Sequence, residues 1–159
     1  MKILFLFLLA SFSAFAESKL TLNVQLNPAG SFQATSEKLK GDLVKKNGVF
    51  SAEKIVVKVE TLKTGMDLRD EHFWKHMNYT KYAEAILSNL VGQNGKATAQ
   101  LEVAGVKKPV QISYKEDGST IVGQFKVLAH DFKLPQAEYL GIGVEDEVEG
   151  EVTMTFKSI

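Results

Sequence analysis

The sequence contains no cysteine, which excludes several kinds of chemistry from the start. Without thiols the protein has no disulfide, no cysteine nucleophile and no thiolate ligand for a metal ion. The sequence also lacks a Gly-x-Ser-x-Gly nucleophile elbow and a glycine-rich phosphate loop. The fold must therefore be stabilised by its hydrophobic core, and no common enzymatic motif indicates a catalytic centre.

Long hydrophobic runs are absent after the first residues of the chain. The start, MKILFLFLLASFSAFAES, has a positive charge at Lys2, a short apolar run and a small-x-small ending at Ala14-Phe15-Ala16. This pattern predicts a secretory signal peptide over residues 1–16, cleaved after Ala16. The apolar run is too short to span a bilayer, so no transmembrane segment is expected. We expect a periplasmic or secreted protein in which residues 17–159 form a single domain.

The chain has no excess of either charge, because 19 basic residues balance 19 acidic ones. Removal of Lys2 with the signal peptide leaves a net charge of about −1. A nearly neutral chain without a basic block argues against nucleic acid as a partner.

Alternation of apolar and polar residues is the strongest pattern after the signal peptide. In KLTLNVQL, every second residue from Leu20 to Leu26 is apolar and the residues between are polar. The same period of two, typical of half-buried strands, continues through ATAQLEV, PVQISY and EVEGEVTMTFK. Further strand candidates are SFQATSE, KLKGDLVKK, EKIVVKVETL, EAILSNLV and TIVGQFKVLA, with turn signals at Asn47-Gly48, Asn94-Gly95 and Asp117-Gly118.

These segments amount to eight or nine strands with few helical windows between them. A parallel sheet would need crossover helices, so the pattern favours an antiparallel meander. Eight such strands can close into a barrel whose interior is filled by side chains or holds one small ligand. We therefore predict an all-β fold, an antiparallel eight-stranded barrel, with a two-sheet sandwich as the alternative.

Two glycines lie on predicted inward faces. Gly123 lies in TIVGQFKVLA and Gly150 in EVEGEVTMTFK. Glycine inside a strand marks a bend or a tight corner. The alternative interpretation is that the missing side chains leave room in the barrel for an apolar ligand.

The stretch MDLRDEHFWKHMNYTKY interrupts the alternation and is the best helix candidate. It predicts one short helix over about residues 70–78, with Asp70 as its N-cap. Lys75 and His76 then fall in the last turn, where the helix dipole favours positive charge.

The two faces of this helix differ in chemistry. Phe73, Trp74 and Met77 share the face that must point to the core, which turns His72 and His76 toward solvent. The i, i+4 spacing of the histidines resembles part of a zinc site. However, Phe73 occupies the position at which a zinc hydrolase of that type carries its glutamate base. A solvated histidine pair is therefore favoured over a metal site, and no catalytic residue is predicted.

Four motifs, in the right order, resemble those of the YceI-like family. VETLKTGMDLRDEHF resembles its hallmark of a strand, a Thr-Gly and Arg-Asp-x-His, and KYAEAIL resembles the Lys-Tyr-Pro segment that follows, with Ala83 in place of proline. LEVAGVKKPVQISY resembles the family's Leu-x-Ile-x-Gly-Val-x-Lys-x-Val hairpin. HDFKLPQAEYLGIGVEDEV resembles its closing segment, with Lys133 in place of the glycine after Asp-Phe.

This resemblance implies a lipocalin-like barrel with an elongated apolar cavity. Family members are associated with polyisoprenoids, isoprenoid quinones or fatty-acid-like lipids, often as homodimers. Arg69, Asp70 and His72 occupy the Arg-Asp-x-His positions, and their implied role is structural: they fix the helix across the barrel end. Ligand contacts are expected from the inward faces, and plain core packing is the alternative role for each of these residues: Val57, Val59, Trp74, Ile112, Tyr114, Phe125, Val127, Val152, Met154 and Phe156.

The favoured hypothesis is an exported carrier or storage protein that binds one long apolar ligand, without catalysis and without a cofactor. Two alternatives stay open. One is a zinc-dependent hydrolase built on His72 and His76, and the other is a filled barrel that acts through protein contacts. The volume of the barrel interior discriminates best among the three.

Overall fold

Strands account for most of residues 18–159, the part of the chain that the computed structural model describes. The predicted signal peptide, residues 1–16, lies outside this part. The strands are β1 (Lys19–Asn27), β2 (Ser31–Ser36), β3 (Leu39–Lys40), β4 (Val44–Lys46), β5 (Val49–Lys58), β6 (Glu84–Gln93), β7 (Lys96–Val103), β8 (Val106–Asp117), β9 (Thr120–Leu128), β10 (Glu138–Tyr139), β11 (Ile142–Thr155) and β12 (Lys157–Ser158). Within the same residues, the helices are α1 (Asp67–His76) and two short 3-10 helices, Val59–Thr61 and Ala129–Phe132.

All these strands belong to one sheet in the order β12-β4-β5-β6-β7-β8-β9-β11-β1-β2, with β3 paired to β5 and β10 paired to β11. The pairs are antiparallel apart from the short parallel pair of β12 and β4. Eight strands have six residues or more, whereas β3, β4, β10 and β12 have two or three. The predicted all-β class is confirmed, and the strand count differs from the predicted eight through these short strands.

The two edges of the sheet come together because short strands bridge them. The β2 strand pairs with β1, and Leu39–Lys40 just after it pairs with β5. Thr35 and Lys63 also exchange backbone hydrogen bonds of 2.9 and 2.8 Å. On the other side, the Lys157 N–H donates to the Leu43 carbonyl at 2.9 Å. The strands therefore curl around a common interior and cover the sheet edges.

Local sequence explains the tight turns. Asn47-Gly48 joins β4 to β5 and Asn94-Gly95 joins β6 to β7, and all four residues have positive φ, from 51° to 81°. Positive φ at both central residues is what a type I′ hairpin turn requires.

The segment KLKGDLVKK was predicted as one strand but divides into β3 and β4. A Cβ on Gly41 would lie 2.2 Å from the Lys54 carbonyl oxygen, so the chain bends where only glycine fits.

The helix α1 begins at Asp67, earlier than the predicted 70–78, and ends at His76. Met66 occupies the N-cap position, and the Asp70 N–H donates to its carbonyl at 2.9 Å inside the first turn. The prediction that Asp70 caps the helix was therefore wrong. The predicted positions of Lys75 and His76 in the last turn are confirmed. No helix among the described residues is long and apolar enough to cross a membrane.

The inward-facing residues are packed more tightly at one end of the barrel than at the other. Along β7, Ala97 and Ala99 are buried, whereas Leu101 and Val103 are half-buried. The inward residues of β6 and β9 show the same change along the barrel. The tightly packed end, near Phe50, is called the closed end below. The end near α1 and the 3-10 helix Ala129–Phe132 is called the open end.

Candidate apolar ligand site

The barrel interior contains a cavity of about 180 Å³. Phe50 and Tyr114 line it at the closed end. At the open end it is lined by Phe73 of α1, by Met77 just after that helix, and by Phe132 of the 3-10 helix. The wall therefore consists of the inner faces of the strands together with both helical segments at one end.

The cavity wall is almost wholly apolar. Each described lining residue is Ala, Val, Leu, Ile, Met or Phe, except Tyr114, and none carries a charge. A charged or strongly polar group would lose its hydration in such a cavity without gaining a partner. The wall therefore suits the hydrocarbon part of a ligand, for which burial away from water is favourable.

Seven of the ten residues predicted to contact a ligand line this cavity: Val57, Ile112, Tyr114, Phe125, Val127, Val152 and Met154. They lie at inward positions of β5, β8, β9 and β11, as the alternation indicates. Their contact with a ligand stays a prediction. The structure places the other three, Val59, Trp74 and Phe156, outside the described wall.

Each of these three has a physical reason for its position. Val59 begins a 3-10 helix, where the strand alternation no longer applies. The Trp74 Nε1 donates a hydrogen bond to the Leu62 carbonyl at 2.8 Å, which holds the indole away from the cavity. Phe156 follows the end of β11, and its ring packs against Phe50 with centroids 4.9 Å apart. Their predicted place in the cavity wall is therefore corrected, and contact with a ligand stays a prediction for them as for the other seven.

Some residues of the wall were missed by sequence reasoning. Phe73 of α1 and Met77, the residue just after this helix, line the cavity, and their i, i+4 spacing on the predicted core face was the signal for them. Phe132 and Leu134 also line it, on either side of Lys133, which has a φ of 56°. No hydrophobic period predicts the course of such an irregular segment.

Arg69 and Asp70 hold the turn that precedes α1. The almost fully buried Asp70 carboxylate accepts hydrogen bonds from the Thr64 N–H at 2.6 Å and the Thr64 hydroxyl at 2.7 Å. The Arg69 Nη2 donates to the Thr64 carbonyl at 2.8 Å, and its guanidinium lies 4.8 Å from the centroid of the Phe32 ring. The pair thus links α1 to the preceding turn and to β2. Neither residue lies in the described cavity wall.

The two histidines of α1 have different environments. His72 is exposed, whereas His76 is half-buried. Burial disfavours the charged imidazolium and lowers the pKa of His76 below its usual value. The prediction that both rings face solvent was therefore wrong for His76. Among residues 18–159, no group of three or more histidine and carboxylate side chains is arranged to hold a metal ion.

His130 anchors the 3-10 helix of the open end to β11. Its backbone N–H donates to Asp146 Oδ1 at 2.8 Å, and its ring Nδ1 forms a hydrogen bond with the other carboxylate oxygen. Desolvation acts to raise the pKa of Asp146, but the hydrogen bonds with His130 outweigh it and hold that pKa below its usual value. These contacts hold the 3-10 helix that carries Phe132 beside the cavity.

The two inward glycines are covered by neighbouring side chains. A Cβ on Gly150 would lie 2.1 Å from Cζ of Phe125, its partner residue in β9. A Cβ on Gly123 would lie 3.0 Å from Ile112 Cγ2 and 3.2 Å from Val152 Cγ1. These positions allow close packing of the wall, and the space beside them is filled by protein.

A known protein family covers nearly the whole chain. The model of the YceI-like domain matches residues 11–157. This chain belongs to the YceI-like family. The resemblance carried by its four ordered motifs is thereby confirmed. No protein with a curated description matches the sequence.

Several solved structures share the fold of this YceI-like chain. BcnA from Burkholderia cenocepacia has a TM-score of 0.67 at 17% identity, covering 86% of this chain and 94% of BcnA. A polyisoprenoid binding domain from Saccharophagus degradans, implicated in plant cell wall breakdown, has a TM-score of 0.63 at 14% identity, with 86% and 91% covered. The Campylobacter jejuni YceI protein has a TM-score of 0.56 at 17% identity, with 76% and 82% covered. At these identities the likeness shows the fold alone.

Proposed function

We propose that this YceI-like protein binds one long apolar molecule inside its barrel, as a carrier or a store and not as an enzyme. The observation that carries the proposal is the cavity of about 180 Å³ with its apolar wall. Transfer of a hydrocarbon chain from water into such an interior is favourable. The cavity also weighs against the alternative of a filled barrel that acts through its surface alone.

Hydrophobic burial supplies most of the favourable free energy of binding for this function. Each buried methylene contributes about 0.8 kcal/mol, so ten carbons contribute roughly 8 kcal/mol before the cost of ordering the ligand and the protein. A net value of about 8 kcal/mol corresponds to a micromolar dissociation constant. A longer chain offsets the ordering cost by burying further methylenes.

The fold neighbours support a ligand class. One of them is described as a polyisoprenoid binding domain. For this chain we propose a polyisoprenoid, an isoprenoid quinone or a fatty-acid-like lipid, because each has a long tail that needs no polar partner in the wall. A polar head group would remain at the open end, where the wall residues are partly exposed.

We also propose that the protein works in the periplasm or after secretion. The support is the N-terminal pattern of a charge, an apolar run and Ala14-Phe15-Ala16. N-terminal sequencing of protein from a periplasmic extract should begin at Glu17, and recovery of the full chain with Met1 would contradict export. The homodimer expected from the resemblance stays a prediction.

Native mass spectrometry of the purified protein tests ligand binding. We expect an adduct of lipid mass that is lost on denaturation. A Val127→Trp variant, which fills the cavity, should lose the adduct. A Gln124→Trp variant, on the exposed face of the same strand, should keep it. A wild-type protein that neither carries nor takes up a lipid-sized adduct would refute the proposal.

A further inference from the structure

Three aromatic rings close one end of the cavity. The Phe50 and Tyr114 ring centroids lie 5.2 Å apart at 76°, and those of Phe50 and Phe156 lie 4.9 Å apart at 86°. These are edge-to-face arrangements, which aromatic side chains favour. Phe50 and Tyr114 line the cavity and are buried, whereas Phe156 supports Phe50 from outside the described wall.

A lysine covers this cluster. The Lys45 Nζ lies 5.2 Å from the Phe50 ring centroid and 5.7 Å from that of Phe156, within the range of a cation–π contact. The same ammonium group donates hydrogen bonds to both carboxylate oxygens of Glu116, at 2.8 and 2.7 Å. A hydrocarbon chain that reaches Phe50 from the cavity therefore meets packed rings backed by an ion pair.

Gly92 determines where the Tyr114 ring lies. In the sheet, Gly92 lies between Phe50 of β5 and Ala97 of β7. A Cβ on Gly92 would lie 3.0 Å from Tyr114 Cε1 and 2.8 Å from the Ala97 Cβ. The ring of Tyr114 therefore packs against bare backbone at the closed end. Ala97 is the wall residue next to it on β7.

At the opposite end of the cavity the wall residues of β7 are half-buried, whereas those at the closed end are buried. Ile121, at the start of β9, and Ala129, just after its end, both line the cavity. At a rise of about 3.3 Å per residue and a strand tilt of about 40°, they are separated by roughly 20 Å along the barrel axis. This separation is an upper bound on the length of chain that the wall can enclose, and the cavity volume of about 180 Å³ limits the number of buried carbons further.

We propose that Phe50 and Tyr114 set the length of hydrocarbon chain that the cavity holds. The inference rests on the proposed function, since it concerns the same cavity. A chain enters at the open end and advances until its terminal methyl group contacts the two rings. Each carbon up to that limit tightens binding about fourfold, and each carbon beyond it remains in water and adds little.

Two series of probes test this proposal: saturated fatty acids and linear isoprenoid alcohols of increasing length. For the wild-type protein, the dissociation constant should fall with length and then level off at the length whose terminal methyl group reaches Phe50 and Tyr114. A Phe50→Leu variant has a smaller side chain at the stop and should move this plateau to longer chains. An Ala97→Val variant thickens the wall beside the stop and should move the plateau to shorter chains.

Ala85→Val is the matched control, because Ala85 also lines the cavity but lies at the start of β6, toward the open end. It should change the affinity of all lengths alike and leave the plateau in place. An unchanged plateau in Ala97→Val, or an equal shift in Ala85→Val, overturns the proposal. The comparison of these two variants tests the proposal even if Phe50→Leu does not fold. Failure of every probe to bind the wild-type protein instead overturns the proposed function itself.

Discussion

Asp70 is the residue on which the turn before α1 depends. It is 3% exposed, and its carboxylate takes two hydrogen bonds from Thr64, while Lys63 Nζ lies 3.9 Å away. A buried N–H that loses such an acceptor remains without a partner, which is more costly than the bond itself was favourable. The Arg69 bond to the same threonine makes this turn a small network.

An Asp70→Asn substitution should therefore destabilise the protein. Hydrogen bonds to a charged group contribute about 1.5–3 kcal/mol, so we expect a loss of about 2 kcal/mol in the free energy of unfolding. The control is Asp67→Asn, the same change at an exposed position of the same helix, which should cost at most about 1 kcal/mol through the helix dipole. Urea unfolding measures both, and equal losses would show that the Thr64 contacts contribute nothing.

At the scale of elements, the regular strands could be predicted from the sequence, whereas the irregular segments that connect them could not. In β11, Val148, Gly150, Val152 and Met154 face inward as the alternation indicates. The break between β3 and β4 was not predicted. The chain bends at Gly41 because its backbone approaches the Lys54 carbonyl oxygen of β5, a contact between separate strands. Trp74 was misplaced for a similar reason, since its hydrogen-bond partner precedes α1 in the chain.

The packing between β9 and β11 predicts the effect of adding one methyl group. Gly150→Ala would place a Cβ 2.1 Å from the Phe125 ring, which must move, and overpacking of this kind costs about 1–3 kcal/mol. Phe125→Leu should relieve much of that cost in the double variant. A Cβ on Gly143, in the same strand, would lie 3.9 Å from the Ala137 carbonyl oxygen, an ordinary contact distance, so Gly143→Ala should be nearly neutral. Thermal unfolding with no coupling between positions 150 and 125 would contradict this account.

At the scale of the whole molecule, the barrel depends on contacts between distant parts of the chain. The segment after β11 reaches β4, where the Lys157 N–H donates to Leu43 and the Ile159 N–H donates to Lys45, at 2.9 and 3.0 Å. The same region supports the closed end, since Lys45 lies over Phe50. Closure of the barrel and the stop at the end of the cavity are therefore structurally linked.

Deletion of residues 157–159 should weaken this closure. At least two backbone hydrogen bonds of about 1 kcal/mol each are lost, so we expect the free energy of unfolding to fall by about 2 kcal/mol or more. Lys157→Ala removes only an exposed ion pair with Asp42, which contributes at most about 1 kcal/mol. Denaturant unfolding that gives the same value for both variants would show that the surface ion pair, and not the strand pairing, is responsible.

The order of residues alone establishes the all-β class, the family and the inward faces of the long strands. Each of these follows from a local pattern, namely a period of two or a short motif, and is independent of distant contacts. The contacts of the folded chain establish where the cavity lies, which end is closed, and that Trp74 and Phe156 lie outside its wall. Those properties depend on contacts between side chains of separate strands, and a local sequence pattern does not predict contacts between distant residues.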